Sequence, residues 1–107
     1  MRPTGYVTHP LFLAHDTGRG HPERPDRLRA IEGRLAASGL ASELDAVAPV
    51  PADTGAILRV HSSDVVRRVV DTAARGGGRL DADTVVSAAS YDAALLAVGA
   101  AVLAVER

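Results

Sequence analysis

Apolar and polar positions along this chain fall into several short patterns. Gly5-Tyr6-Val7-Thr8 combines aromatic and β-branched residues and stops before Pro10, which predicts a short strand. From there to about Pro25 neither a helical nor a strand period holds, so this run reads as an ordered or mobile loop. Leu28, Ile31 and Leu35 then recur at spacings of three and four, predicting a helix from Arg24 to Ser38 with one apolar stripe. Pro25 suits a first helical position, where its missing N–H costs nothing. Gly39 stands just past the end, where a left-handed backbone is cheap. Leu44, Val47 and Val50, with Pro49 and Pro51, suggest a short edge strand.

The second half is more helical. Asp53 or Thr54 can cap a short helix through about Val60. Ser62 or Ser63 can cap another, with Asp64 in its first turn and Val65, Val66, Val69, Val70 and Ala73 as its buried face. The run RGGGR, residues 75–79, is a stop and reads as a flexible turn between helices. It lacks the Gly-Lys-Ser/Thr ending of a phosphate loop. LDADTVVSAAS reads as a second loop, and Ser90 can cap a last helix from Tyr91 to about Glu106. That helix, AALLAVGAAVLAV at its centre, is apolar nearly all round and should be buried on most sides. The residues before it offer few partners, so its neighbours are expected in another chain or in sequence not present here.

Composition sharpens that expectation. The 107 residues suit one small domain. Hydrophobic residues make up 47%, but they are mostly Ala, Val and Leu, with one Phe, two Tyr and no Trp. A core of small side chains buries little area per residue, which is odd for a self-sufficient domain and less odd for part of a larger one. The net charge of −1 gives no electrostatic case for nucleic acid or anionic lipid. The apolar run from Ala93 to Val105 is too short to span a bilayer. There is no Cys, hence no disulfide or thiol chemistry. With no signal-peptide pattern after Met1, a cytoplasmic location is expected.

The candidate chemistry is concentrated before the first long helix. His9, His15 and His21 lie there with Asp16 and Glu23. Imidazoles and carboxylates can build a zinc site, but the spacing H-x5-H-x5-H matches no compact ligand pattern. Hydrogen-bonded or solvent-facing loop histidines are the expectation, with no metal ligand assigned. No Gly-x-Ser-x-Gly elbow is present. In GHPERPDRL, Pro22 and Pro25 stiffen the loop, and Arg27 can turn its donors back toward it or into a neighbouring cavity. The simplest structural alternative is a local Glu23–Arg27 pair worth a few tenths of a kcal/mol.

GHPERPDRLRAI resembles the first-loop signature of the arginase-fold zinc deacetylases, the histone deacetylases (class II most closely) and acetylpolyamine amidohydrolases. ILRVHSSDVVRRV is similar to the family's Val-His-Ser segment, with Val65 where the family often has Tyr. DADTVVSAASYDAALLAVGAAV resembles its Asp-Thr-x-x-Ser segment leading into an Ala-rich helix. The three stretches are in the family's order and span essentially the whole chain.

The resemblance implies that residues 1–107 are the N-terminal third of a deacetylase-like domain. The fold would be α/β, the N-terminal part of a three-layer α/β/α arginase/deacetylase-like fold, mostly helices with one or two short strands. It places His21, Pro22, Glu23, Arg27 and Asp83 at the substrate channel and floor pocket, Arg27 matching the arginine beneath the metal site. The family's Gly-x-His-His and Asp-x-His motifs, which supply the general base and hold zinc, do not occur in this sequence. No catalytic residue is therefore expected in this chain, and zinc is expected only in the full-length family member. The implied substrate is acetyl-lysine or an acetylated amine. The implied partner is the rest of the domain or a complementing second chain. A non-catalytic small α/β binding module is the alternative from a different class.

Overall fold

The computed structural model describes residues 2–107. Its elements in chain order are β1 (Gly5–Val7), a 3-10 turn (Pro10–Ala14), α1 (Pro25–Ser38), a second 3-10 turn (Leu40–Glu43), β2 (Asp45–Val47), α2 (Thr54–Leu58), α3 (Ser63–Ala74), β3 (Gly77–Arg79), β4 (Val85–Ser87) and α4 (Ser90–Glu106).

β1 and β2 pair in parallel, with Tyr6 opposite Ala46. Parallel neighbours need a long crossover, and the segment containing α1 provides it. The start of α1 follows from sequence chemistry: Arg24 is extended and Pro25 opens the helix. At its end Gly39 takes a φ of 82° and donates its N–H to the Ala36 carbonyl at 3.2 Å. The stripe is only partly used. Leu28 and Leu35 are half-buried, whereas Ile31 is exposed, and no residue of α1 is fully buried.

Two helix caps form where side-chain acceptors were available. Asp53 Oδ1 accepts from Ala56 N at 3.0 Å, and Ser62 Oγ accepts from Val65 N at 3.3 Å. α2 stops at Leu58, short of the expected Val60. On α3, Thr72 and Ala73 are buried and Val66, Val69 and Val70 half-buried, while Val65 is exposed.

Three local readings are corrected. Residues 77–79 are a strand rather than only a turn, and residues 85–87 are its antiparallel partner rather than loop. Gly77 explains the first. It has a φ of 120°, and a Cβ there would lie 2.7 Å from the Val86 carbonyl oxygen, so glycine lets the strands meet. With β1 and β2, this makes four short strands among the described residues, where one or two were expected. Ser90 does not cap α4: Ala89 occupies that position without a side-chain bond, and the Ser90 hydroxyl is engaged elsewhere.

α4 buries Ser90, Ala93, Leu96 and Gly99, one stripe at three-residue spacing. The stretch from Val50 to Ala52 crosses it at Gly99, and Ala52 N donates to the Leu95 carbonyl at 3.0 Å. The other face, including Ala94, Ala97, Ala101 and Val105, is exposed. Among the described residues the buried apolar set is Ala73, Val86, Ala93 and Leu96, at the junction of α3, β4 and α4. The accessible surface is 7374 Å². An ordinary folded monomer of this mass exposes roughly 5,700 Å². The difference is the physical counterpart of a helix with one covered face and of a parallel strand pair, a motif normally covered on both sides. No helix is long and apolar enough to cross a membrane among the described residues.

Candidate functional site

The loop before α1 is tied to the β4–α4 junction at its base. Ser87 and Ser90, three residues apart, put their hydroxyls 2.9 Å from each other. Ser87 Oγ donates to the Ala14 carbonyl at 2.9 Å and accepts from Asp16 N at 3.0 Å. Ser90 Oγ accepts from Ser87 N at 2.7 Å and lies 2.6 Å from His15 Nδ1. Ser90 is buried, so these bonds act in a medium where an unmet polar group is costly.

Further along, the loop is braced from within. The Asp16 carboxylate accepts from Gly18 N at 3.0 Å, an Asx-type turn. The buried Thr17 hydroxyl donates to the Glu23 carbonyl. Arg24 Nη1 donates to the Arg19 carbonyl at 3.0 Å.

The tip of the loop meets the β3–β4 connection. His21 Nδ1 accepts from Glu23 N at 3.0 Å, and His21 Nε2 lies 2.7 Å from the Asp83 carbonyl oxygen. In the connection, Asp81 Oδ1 accepts from Asp83 N at 2.9 Å. That backbone bond and one from the Thr84 side chain hold the Asp81 carboxyl below its ordinary value of 3.8, with Arg68 adding a smaller attraction. Arg68 Nη2 donates to the Leu80 carbonyl, and Arg79 Nη1 to the Ala82 carbonyl.

The structure thus brings His21 together with Asp83, through the backbone of the latter, and Glu23 together with Arg27. Arg27 Nη1 is 3.1 Å from Glu23 Oε2, both side chains being about half exposed. This is the local i,i+4 pair that the spacing allows. His21, Pro22 and Arg27 line an open concavity of about 510 Å³ together with Gly20 and Arg24. On the other side of His21 and Pro22 a second one, about 580 Å³, is bounded by Arg79 and Asp83.

The loop histidines are hydrogen-bonded as expected: His9 Nδ1 accepts from Leu11 N at 3.0 Å, while His15 and His21 make the contacts above. Among the described residues no three His, Asp or Glu side chains converge on a metal-sized gap, so these residues do not fit a zinc ion. The residues that sequence reasoning missed are Ser87, Ser90 and Thr17. Ser87 read as part of a loop and Ser90 as a cap, and nothing in the sequence indicated that a loop over seventy residues away would use them.

Comparison with known proteins places the chain in a family and a fold. The family model described as histone deacetylase domain matches residues 21–107. An uncharacterised protein of Synechocystis is 46% identical over 92 residues, 83% of this chain and 30% of its own length. A probable deacetylase of Methanothermobacter thermautotrophicus is 41% identical over 100 residues, 94% of this chain and 29% of its own length. The crystal structure of the HDA15 HD domain superposes on 92% of this chain with a TM-score of 0.83 at 30% identity, using 29% of that domain. The chain therefore spans between 23% and 30% of the length of the curated relatives it matches. The loop tip from His21 onward, the β3–β4 hairpin and α4 lie within the matched stretch, and the chain belongs to the histone deacetylase domain family.

Proposed function

We propose that residues 1–107 are the N-terminal third of a zinc-dependent deacetylase domain that removes acetyl groups from acetyl-lysine or an acetylated amine in the cytoplasm. The observation that carries the reading is the family match over residues 21–107 combined with a superposition that uses only 29% of a deacetylase domain. The surface left uncovered on α4 and on the β1–β2 pair supports the rest of the domain as the missing partner. In this reading His21, Pro22, Glu23, Arg27 and Asp83 form part of the wall and rim of the substrate channel. Zinc, which polarises the amide carbonyl and activates water, is held by residues outside this set. What these residues do is shape and charge the approach. Arg27 supplies a cation at the concavity, and the exposed Asp83 supplies a carboxylate beside the loop tip.

A chimera tests this. The matching segment of the Methanothermobacter relative is replaced by this chain, and hydrolysis of an acetyl-lysine peptide and an acetylated polyamine is measured with zinc present. The expected outcome is activity in the chimera and none in the 107-residue chain alone. A folded chimera that hydrolyses neither substrate, beside an active parent, refutes the reading.

A further inference from the structure

The two bonds of the His21 ring determine its protonation pattern. Glu23 N is a donor, so Nδ1, which accepts from it, carries a lone pair. The Asp83 carbonyl is an acceptor only, so Nε2, 2.7 Å away, carries the proton. Both contacts demand the same neutral tautomer, and a second ring proton would face the Glu23 N–H. One half-buried ring therefore spans two loops that are 62 residues apart in sequence.

The far side of this span is also held. Asp81 Oδ1 fixes the Asp83 amide at 2.9 Å, and Leu80 N donates to the Thr84 carbonyl at 2.9 Å. Asp83 is thus gripped through its N–H by its own hairpin loop and through its carbonyl by His21. Its side chain is exposed and takes no hydrogen bond or ion pair among the described residues.

We propose that His21 is a positioning residue for Asp83: its Nε2–H clamps the Asp83 carbonyl and so fixes where the Asp83 carboxylate stands at the rim. This rests on the deacetylase reading for what the carboxylate is used for, but the clamp itself is a property of this chain. His21 is no catalytic residue in this arrangement, because it reaches the backbone of Asp83 and acts only through it.

Two variants separate the two ring bonds. His21→Gln places an amide nitrogen near the position of Nε2 and keeps a donor for Asp83. His21→Asn places an amide oxygen near the position of Nδ1, keeping the acceptor for Glu23 N but losing the reach to Asp83. The readout is NMR of the 107-residue chain labelled with 13C and 15N: the Asp83 carbonyl carbon shift and the coupling from His21 Nε2–H across the hydrogen bond. The wild type is expected to show that coupling. His21→Asn should lose it and move the Asp83 carbonyl resonance upfield, with Glu23 N–H still protected, whereas His21→Gln should return the resonance toward its wild-type position. A wild-type chain without the coupling overturns the proposal. So does an Asp83 carbonyl shift that is the same in His21→Asn as in wild type. Because no activity is read, failure of the clamp and failure of the deacetylase reading are separate results.

Discussion

Replacing Gly99 with Ala tests whether the crossing of the Val50–Ala52 stretch over α4 holds this chain together. A Cβ at Gly99 would overlap the Val50 carbonyl oxygen and stand 2.9 Å from the Val50 carbonyl carbon and 3.1 Å from Ala52 N. These are backbone atoms, so no side-chain rotation relieves the contact. The crossing stretch must lift. Overpacking of this kind costs about 1–3 kcal/mol. Lifting also breaks the Ala52 N to Leu95 carbonyl bond, worth about 1 kcal/mol. Against this, Ala is favoured over Gly in a helix interior by about 1 kcal/mol. The net expectation is a loss of about 2 kcal/mol, or about 10 °C in melting temperature for a domain of this size. Gly33, inside α1, is the control. A Cβ there meets nothing within 4 Å, so Gly33→Ala should gain the helix preference alone and raise the melting temperature by roughly 3–6 °C. Thermal unfolding followed by circular dichroism at 222 nm reads both. A Gly99→Ala chain melting at or above the wild type would show that the crossing is loose and that the argument from close approach is wrong.

Two further expectations follow from the loop. Ser90→Ala leaves Ser87 N–H and His15 Nδ1 without their shared partner at a buried site, and should cost about 1–3 kcal/mol in a urea titration. A cost no greater than at an exposed serine would mean that water replaces the lost hydroxyl. Asp81 has its folded value depressed below 3.8, so its contribution to hairpin order is present above that pH and is lost as the pH falls through the lower, folded value. An NMR titration should show the Asp83 amide shift following Asp81 with a midpoint below 3.8, and a midpoint at or above 3.8 would contradict the bonding described.

The sequence by itself determined what depends on neighbours a few residues apart. Pro25 and Gly39 bounded α1 because one lacks the N–H that a helix start does not need and the other takes a positive φ at little cost. Asp53 and Ser62 were readable as caps because an acceptor three residues before a free amide is a local arrangement. Motif order carried the family, since GHPERPDRLRAI and the two later stretches are contiguous in sequence. The rest was decided by contacts between distant segments. Gly77 looked like part of a flexible turn, and only the approach of the Val86 carbonyl makes it a strand residue. Ser90 looked like a cap, and only the return of His15 to its side gives its hydroxyl another use. Ile31 and Val65 obeyed a helical period yet stay exposed, because periodicity says which face is apolar and not whether anything covers it. The candidate site divides in the same way. Glu23 and Arg27 pair across one helical turn and were legible, whereas the joining of His21 to Asp83 required the hairpin to fold back across 62 residues.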